Sequence, residues 1–227
     1  MISKNTERMF GRTPKPPAPN RNSDARESYD DRLNHLLKTA TQIIAQVGYD
    51  RASMRTVAKA AGVSLAGMYH YFDSKEKMLF LIQFRTFGAL LNNLREKLIG
   101  TEDPVEQLRI MIRSHVTYFA ANMAALKVCS HELDALTGSG YEETSRIRRE
   151  YYQLTRAIVD RVFQKLHPDS TMDHYVATMS LFGMLNWLYR WYNPGEDRSP
   201  AGLANIIMEL YLNGITGPAS EKPPASP

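Results

Sequence analysis

Apolar residues recur along most of this chain at spacings of three and four, the period of an amphipathic α-helix. A first helix is predicted over 30–47 and is closed by Gly48. Its apolar face consists of Leu33, Leu36, Leu37, Ala40, Ile43, Ile44 and Val47. A longer stripe predicts a helix from the capping residue Ser74 to Leu98. Almost no segment alternates with the period of a strand, so the chain is predicted to be all-α.

Prolines and glycines divide the second half of the chain into five further helices. Asp103-Pro104 and Ser199-Pro200 each place a capping residue before a proline at the first helical position. The predicted helices cover 104–121, 123–136, 141–166, 172–192 and 200–214. Both ends of the chain are rich in proline and polar residues, which predicts a disordered basic arm over 1–29 and a disordered tail over 217–227.

Two short helical patterns lie between the first and the long helix. The first follows Ser53, a candidate N-cap, and its apolar stripe is Met54, Val57, Ala58 and Ala61. Gly62 ends this helix and Ser64 caps the next, in which Met68 and Phe72 can face inward. Two short helices around a glycine turn are the layout of a helix-turn-helix DNA reader, whose second helix enters the major groove.

This segment resembles the TetR family of one-component transcriptional regulators. The resemblance runs from Asp31 to Lys77 and lies in Val57-Ala58, Ala60-Ala61-Gly62-Val63-Ser64, Tyr69-His70-Tyr71-Phe72 and Ser74-Lys75-Glu76. It departs at Tyr71, where many relatives have His. The resemblance implies nine helices, with a DNA-binding domain over 30–75 and a ligand-binding and dimerisation domain over 76–216. It also implies a repressor that a small hydrophobic effector releases from palindromic operator DNA.

We expect double-stranded operator DNA to contact the second motif helix and its flanks. The groove-facing candidates are Leu65, Ala66 and Gly67. The other DNA-binding candidates are Ser53, Arg55, Ser64, Tyr69, His70, Tyr71 and Lys75. The basic arm has two interpretations: it reaches neighbouring phosphates or the minor groove, or it is an unstructured leader with incidental charge.

Large aromatic and Met side chains are interleaved with polar ones in the predicted helices four to seven. This mixture is typical of a small-molecule pocket and also of an ordinary helical core. The candidate ligand-binding residues are Phe84, Phe87, Met111, His115, Tyr118, Phe119, Met123, Arg149 and Tyr152. The arginines of the seventh helix indicate either a solvated face or anion recognition.

The stretch 184–195 is similar to that of TetR-family regulators that respond to acyl-CoA thioesters. An acyl-CoA of lipid or aromatic-acid catabolism is therefore one candidate effector. The alternatives within this fold are a smaller hydrophobic effector and an activator in place of a repressor. Outside this class, the alternative is a helical protein-interaction module, which salt-dependent binding to DNA upstream of its own gene would distinguish.

The last two predicted helices carry more apolar surface than a one-sided surface helix needs. Two copies of each could close a four-helix interface, whereas in a monomer the eighth helix would be a central core helix. The family resemblance implies a homodimer. The candidate interface residues are Phe182, Trp187, Ile206 and Leu210.

Composition narrows the function further. The 227 residues carry a formal net charge of +4, which alone is weak evidence for nucleic-acid binding, and a single cysteine, Cys129. The sequence has no phosphate-cradling glycine loop, no nucleophile elbow and no zinc-binding helix motif, so an enzyme, a cofactor and a metal site are not expected. It has no membrane span and no secretory signal pattern, which predicts a cytoplasmic protein.

Overall fold

The computed structural model describes residues 21–216, with side chains from 29 to 214. Within this range the chain forms nine α-helices and no strand, which confirms the all-α prediction. The helices are α1 (Arg21–Val47), α2 (Met54–Ala60), α3 (Leu65–Tyr71), α4 (Lys75–Leu98), α5 (Pro104–Ala120), α6 (Met123–His131), α7 (Gly138–Leu166), α8 (His174–Asn186) and α9 (Pro200–Thr216). No helix within the described residues combines the length and the apolar character that a transmembrane span requires.

Several helix ends differ from the prediction. α1 begins at Arg21, so residues 21–29, assigned to the disordered arm, are helical. This stretch contains no proline or glycine, and a polar composition alone does not stop a helix already nucleated by packing further along. The remaining arm over 1–20 and the tail over 217–227 lie outside the described residues.

The predicted sixth and eighth helices are each shorter and followed by a 3₁₀ turn. α6 ends at His131 and a turn covers Leu133–Ala135, while α8 ends at Asn186 and a turn covers Leu188–Arg190. Apolar periodicity does not distinguish such turns from α-helix, because both place residues three apart near the same face.

The N-terminal core joins α1, α2, α3 and the first turns of α4. Val57, Met68 and Phe72 are fully buried in it, as the pattern around Gly62 predicts. Val128 of α6 and Leu136, which follows α6, enter the same core. The α6 region is therefore packed against the DNA-binding unit.

The second core joins the rest of α4 with α5, α7, α8 and α9. Among its fully buried side chains are Leu94, Ile112, Phe119, Ile158 and Leu181. Because α4 contributes to both cores, a movement of this helix would be transmitted to both halves of the chain.

Candidate DNA-binding and effector sites

Serine caps fix the starts of both motif helices. The Ser53 Oγ accepts a hydrogen bond from the Thr56 amide at 3.0 Å, and the Ser64 Oγ accepts one from the Gly67 amide at 3.0 Å. Gly62, between the helices, has a φ of +67°, a left-handed conformation that favours glycine. These local features orient α3 relative to α2.

The exposed face of α3 is formed by Ala66, Tyr69 and His70, and Tyr69 is 51% exposed. Leu65 and Tyr71 are half-buried and pack against the N-terminal core. All of these are DNA-binding candidates, and the structure makes the three exposed residues the most accessible to a duplex.

Tyr71 packs toward α1 through a stacked ring contact. Its ring lies 4.9 Å from the ring of Tyr29, with an angle of 24° between the planes. This packing restricts the Tyr71 side chain, so its contact with DNA stays a prediction that depends on its exposed edge.

Lys75 lies at the start of α4, beside the turn between α1 and α2. Its Nζ donates a hydrogen bond to the Asp50 carbonyl oxygen at 3.2 Å and lies 4.0 Å from the centroid of the Tyr49 ring. The ammonium group is thus held next to the helix-turn-helix. Arg55, also a candidate, is exposed on α2.

Two glutamates link the DNA-binding unit to the segment between α6 and α7. The Tyr49 amide donates to the Glu132 Oε1 at 3.1 Å, and the Gln83 Nε2 donates to the Glu132 carbonyl oxygen at 2.9 Å. The Glu76 Oε1 accepts hydrogen bonds from the amide and hydroxyl of Thr137. We call residues 132–137 the bridge segment. No sequence pattern predicted these contacts, because their partners lie 49 to 83 residues apart.

Most of the predicted effector residues lie together in the C-terminal core. Met111, His115 and Phe119 are buried, and the half-buried Phe84, Phe87, Tyr118 and Met123 pack against the core. Tyr152 is also half-buried and contacts the Phe182 ring. The ring centroids of His115 and Phe119 are 4.8 Å apart, and those of Tyr118 and Phe119 are 5.3 Å apart. We call the group formed by His115, Tyr118, Phe119, Tyr151, Tyr152 and Phe182 the aromatic cluster.

The predicted arginine on α7 does not join these residues. Arg149 is exposed, whereas the half-buried Arg148 stacks 4.8 Å above the Phe87 ring and donates to the Cys129 carbonyl oxygen at 2.7 Å. The signal that could have identified Arg148 is its position three residues before the buried Tyr151, on the inner face of the helix.

Phe182, predicted at the dimer interface, contacts the aromatic cluster within one protomer. Its ring lies 6.0 Å from that of Tyr151 and 6.3 Å from those of His115 and Tyr152. Phe182 is half-buried and the neighbouring Leu181 is fully buried, so its role at a dimer interface stays a prediction.

The other interface candidates lie at or near the protein surface. Trp187 is 55% and Leu210 is 63% exposed, and Ile206 is half-buried. Further large apolar side chains are exposed along α8, namely Tyr175, Val176 and Met179. Large exposed apolar patches are typical of interaction sites, and these side chains are candidates for one.

His115 has an unusual environment. Its Nδ1 lies 3.1 Å from the Tyr151 Oη, and its Nε2 is buried without a hydrogen-bond partner among the described residues. Burial lowers the pKa of His115 to about 3, against a smaller opposing effect of the Asn186 side chain. The imidazole is therefore neutral at physiological pH.

A groove of about 660 Å³ opens between α1, α4 and the start of α6. Of the predicted effector residues, Tyr118 and Met123 line it, and Lys38 and Arg85 add positive charge. The Arg85 Nη1 donates to the Asn34 Oδ1 at 2.8 Å. The groove therefore meets the aromatic cluster at Tyr118.

Cys129 is buried, and burial raises the pKa of its thiol to about 12. The thiol stays protonated and is a poor nucleophile. Among the described residues, no group of His, Cys, Asp and Glu is placed to hold a metal ion.

Comparison with known protein families agrees with this arrangement. Residues 36–82 match the family described as bacterial regulatory proteins, tetR family, and residues 101–215 match the tetracyclin repressor-like C-terminal domain. The chain belongs to the TetR family. Members of this family are DNA-binding transcription regulators and not enzymes, which confirms the interpretation of the helix-turn-helix.

Individual relatives of this TetR-family chain are distant but cover most of its length. The fatty acid metabolism regulator protein of Bacillus subtilis (strain 168) is 23% identical over 79% of this chain and 93% of its own. The TetR-family regulator PfmR from Thermus thermophilus is 28% identical, with a TM-score of 0.70 over 78% of this chain and 97% of its own. A structure of AibR in complex with isovaleryl coenzyme A and operator DNA is 24% identical. Its TM-score is 0.69, and the match covers 82% of this chain and 99% of its own.

Proposed function

We propose that this protein is a homodimeric transcriptional repressor that leaves its operator when an acyl-CoA thioester binds its C-terminal domain. The observation that carries the proposal is the bridge segment. Through Glu132 and Thr137 it is hydrogen-bonded to the DNA-binding unit, and Leu136 is buried in the core of that unit. An effector that displaces α6 or α4 would therefore disturb the position of α3.

The relatives support an acyl-CoA as the effector class. The Bacillus subtilis relative is named a fatty acid metabolism regulator protein. The AibR complex contains isovaleryl coenzyme A together with operator DNA. The aromatic cluster supplies ring surfaces against which an acyl chain can pack, together with the imidazole of His115 and three tyrosine hydroxyls.

The phosphates of coenzyme A require cations, and the groove beside Tyr118 offers them. Lys38 and Arg85 line this groove, and the ring contact between Tyr118 and Phe119 connects it to the aromatic cluster. Guanidinium groups bind phosphate through paired hydrogen bonds. Arg85 and Lys38 thus replace the exposed Arg149 as the proposed phosphate ligands.

The exposed apolar side chains of α8 and α9 support a homodimer. Trp187 and Leu210 would be buried when the same faces of two protomers pack together as a four-helix interface. A two-fold symmetric dimer places two α3 helices on successive major grooves, about 34 Å apart, and so reads a palindromic operator. We place this DNA-bound regulator in the cytoplasm.

Release follows if the effector binds better to a conformation with a different spacing between the two α3 helices. A typical coupling free energy of about 1 to 3 kcal/mol lowers DNA affinity roughly 5- to 150-fold. By thermodynamic reciprocity, operator DNA weakens effector binding by the same factor.

The test combines DNA binding with a ligand screen. Fluorescence anisotropy on DNA from upstream of the protein's own gene should show tight, salt-dependent binding that acyl-CoAs weaken and free coenzyme A does not. The same acyl-CoAs should raise the melting temperature, because they bind the native state. If only a smaller hydrophobic compound raises the melting temperature and releases DNA, the acyl-CoA assignment is wrong. The proposal of a ligand-responsive DNA-binding regulator would still hold. Tighter DNA binding with effector would indicate an activator or co-repressor mechanism.

A further inference from the structure

His115 is buried on α5 with one ring nitrogen unpaired. The side chain is 2% exposed, and Nε2 has no hydrogen-bond partner among residues 29–214. Buried polar atoms are almost always hydrogen-bonded, and leaving one unpaired costs roughly 1 to 3 kcal/mol. A leucine or phenylalanine would fill the same space without this cost, so the unpaired nitrogen needs an explanation.

The contact with Tyr151 determines which ring nitrogen of the neutral imidazole carries the proton. The Tyr151 hydroxyl is buried, and His115 Nδ1 is its hydrogen-bond partner among the described residues. If Nδ1 accepts the hydroxyl hydrogen, both of those groups are satisfied and the proton of the neutral ring lies on Nε2. The other tautomer would leave two groups unsatisfied, the tyrosine hydrogen and the Nε2 lone pair. Nε2 is therefore an unpaired donor.

The surroundings of this donor are uncharged and mostly aromatic. The ring centroids of Phe119 and Phe182 lie 4.8 and 6.3 Å from that of His115. The neutral side-chain amide of Asn186 approaches the imidazole and opposes the effect of burial on its pKa, but it does not meet the geometry of a hydrogen bond to Nε2. Asn186 itself is exposed at the end of α8. A neutral donor in an uncharged setting suits a neutral acceptor, because a carboxylate buried there would lack a cation.

We propose that His115 recognises the carbonyl oxygen of the effector through a hydrogen bond from Nε2–H, with Tyr151 as the positioning residue that fixes the tautomer. This inference rests on the proposed function, since it requires that the effector enters the aromatic cluster. It adds the chemical group that the site selects, which is a neutral carbonyl such as that of a thioester.

The test compares an acyl-CoA thioester with the alkyl-CoA thioether of equal chain length, which lacks the carbonyl oxygen. Calorimetry on the full-length wild-type protein should give at least about tenfold tighter binding of the thioester, the effect of one buried hydrogen bond. His115→Phe should bind both ligands equally. His115→Gln, whose side-chain amide keeps a donor, should retain part of the preference.

A second His–Tyr pair provides the matched control. The His131 Nε2 lies 2.7 Å from the Tyr189 Oη at the surface, so His131→Phe removes the same kind of contact away from the cluster and should keep the wild-type preference. Tyr151→Phe should reduce the preference. Without the tyrosine hydroxyl, the imidazole proton can lie on Nδ1, and Nε2 is then no longer a donor.

The outcomes separate this inference from the proposed function. Equal wild-type affinity for thioester and thioether, with DNA release by both, would overturn the role of His115 and leave the acyl-CoA response intact. Binding of neither ligand would reject the proposed function itself. A preference that persists in His115→Phe would mean that Nε2 does not bind the carbonyl oxygen of the effector. Because the wild-type comparison needs no variant, a His115→Phe protein that fails to fold does not remove the test.

Discussion

The Glu76 carboxylate, in the first turn of α4, accepts two hydrogen bonds from Thr137, the residue before α7. The distances are 2.6 Å to the Thr137 amide nitrogen and 2.8 Å to its hydroxyl. Since α4 follows α3 directly, this contact ties the helix after the DNA-reading helix to the start of the longest helix of the C-terminal domain.

Replacing Glu76 with Ala should weaken both the fold and the communication between domains. We expect a loss of about 1 to 2 kcal/mol in the free energy of unfolding, because a charge-assisted contact to a backbone amide is lost. We also expect effector to weaken DNA binding by a smaller factor. Urea denaturation and anisotropy with and without effector measure the two effects.

Glu106→Ala is the matched control for this prediction. Glu106 also lies in the first turn of a helix, but it pairs at the surface with Arg109 at 2.9 Å, and its removal should cost less than about 0.5 kcal/mol. Equal losses in the two variants, with unchanged coupling, would show that the Glu76 contact has no special role.

Lys75→Ala should weaken DNA binding across all sequences and flatten the salt dependence by about one unit, the effect of one lost phosphate contact. The position of the ammonium group beside Tyr49 and Asp50 is the physical reason, since it is held next to the reading helices. Anisotropy titrations at several salt concentrations measure the slope. Lys127→Ala, on exposed α6 surface, should leave it unchanged. An unchanged slope in folded Lys75→Ala protein would remove Lys75 from the interface.

Leu210→Asp and Trp187→Asp should produce folded monomers. Both side chains are more than half exposed in one protomer, so a charge there does not enter a protomer core but would be buried unpaired in the dimer. Sedimentation should show the wild-type dimer at micromolar concentration and the variants as monomers with native circular dichroism. Ile99→Asp is the control, because Ile99 is 81% exposed at the end of α4. A wild-type monomer would contradict the interface and the palindromic operator.

Stability should fall as the pH drops below about 6.5, and His115 should account for part of this. Burial lowers its pKa from 6.5 to about 3 in the folded protein, so between these values the unfolded chain binds a proton that the folded chain does not. Unfolding is thereby favoured at low pH, by about 2 kcal/mol at pH 5 relative to pH 8. Urea denaturation of wild type and His115→Phe at pH 5 to 8 should show the smaller pH dependence in the variant. Parallel curves would mean that His115 is not buried neutral.

The helix-turn-helix could be predicted because its signals are local. Ser53, Gly62 and Ser64 act within three residues of the atoms they contact, and the apolar stripe around Val57 needs only helical spacing. Family resemblance supplied the arrangement of the remaining helices.

The effector site could be predicted only in part, because its details depend on helix rotation and long-range contacts. Arg148 and Arg149 differ by about 100° around α7, which decides whether the side chain meets Phe87 or solvent. Phe182 lies in a helix that is apolar on most sides, so composition could not tell inner from outer face. The hydrogen bonds of Glu76 and Glu132 join distant parts of the chain, so no local sequence pattern predicts them.

The buried thiol of Cys129 has a practical consequence for measuring these motions. It is the sole cysteine of the chain and its high pKa keeps it protonated, so maleimide dyes should react with it slowly. A cysteine introduced on the exposed face of α3, for example Ala66→Cys, could then carry a spectroscopic label without mutating the native residue. In a labelled dimer, the distance between the two reading helices could be followed directly while effector is added.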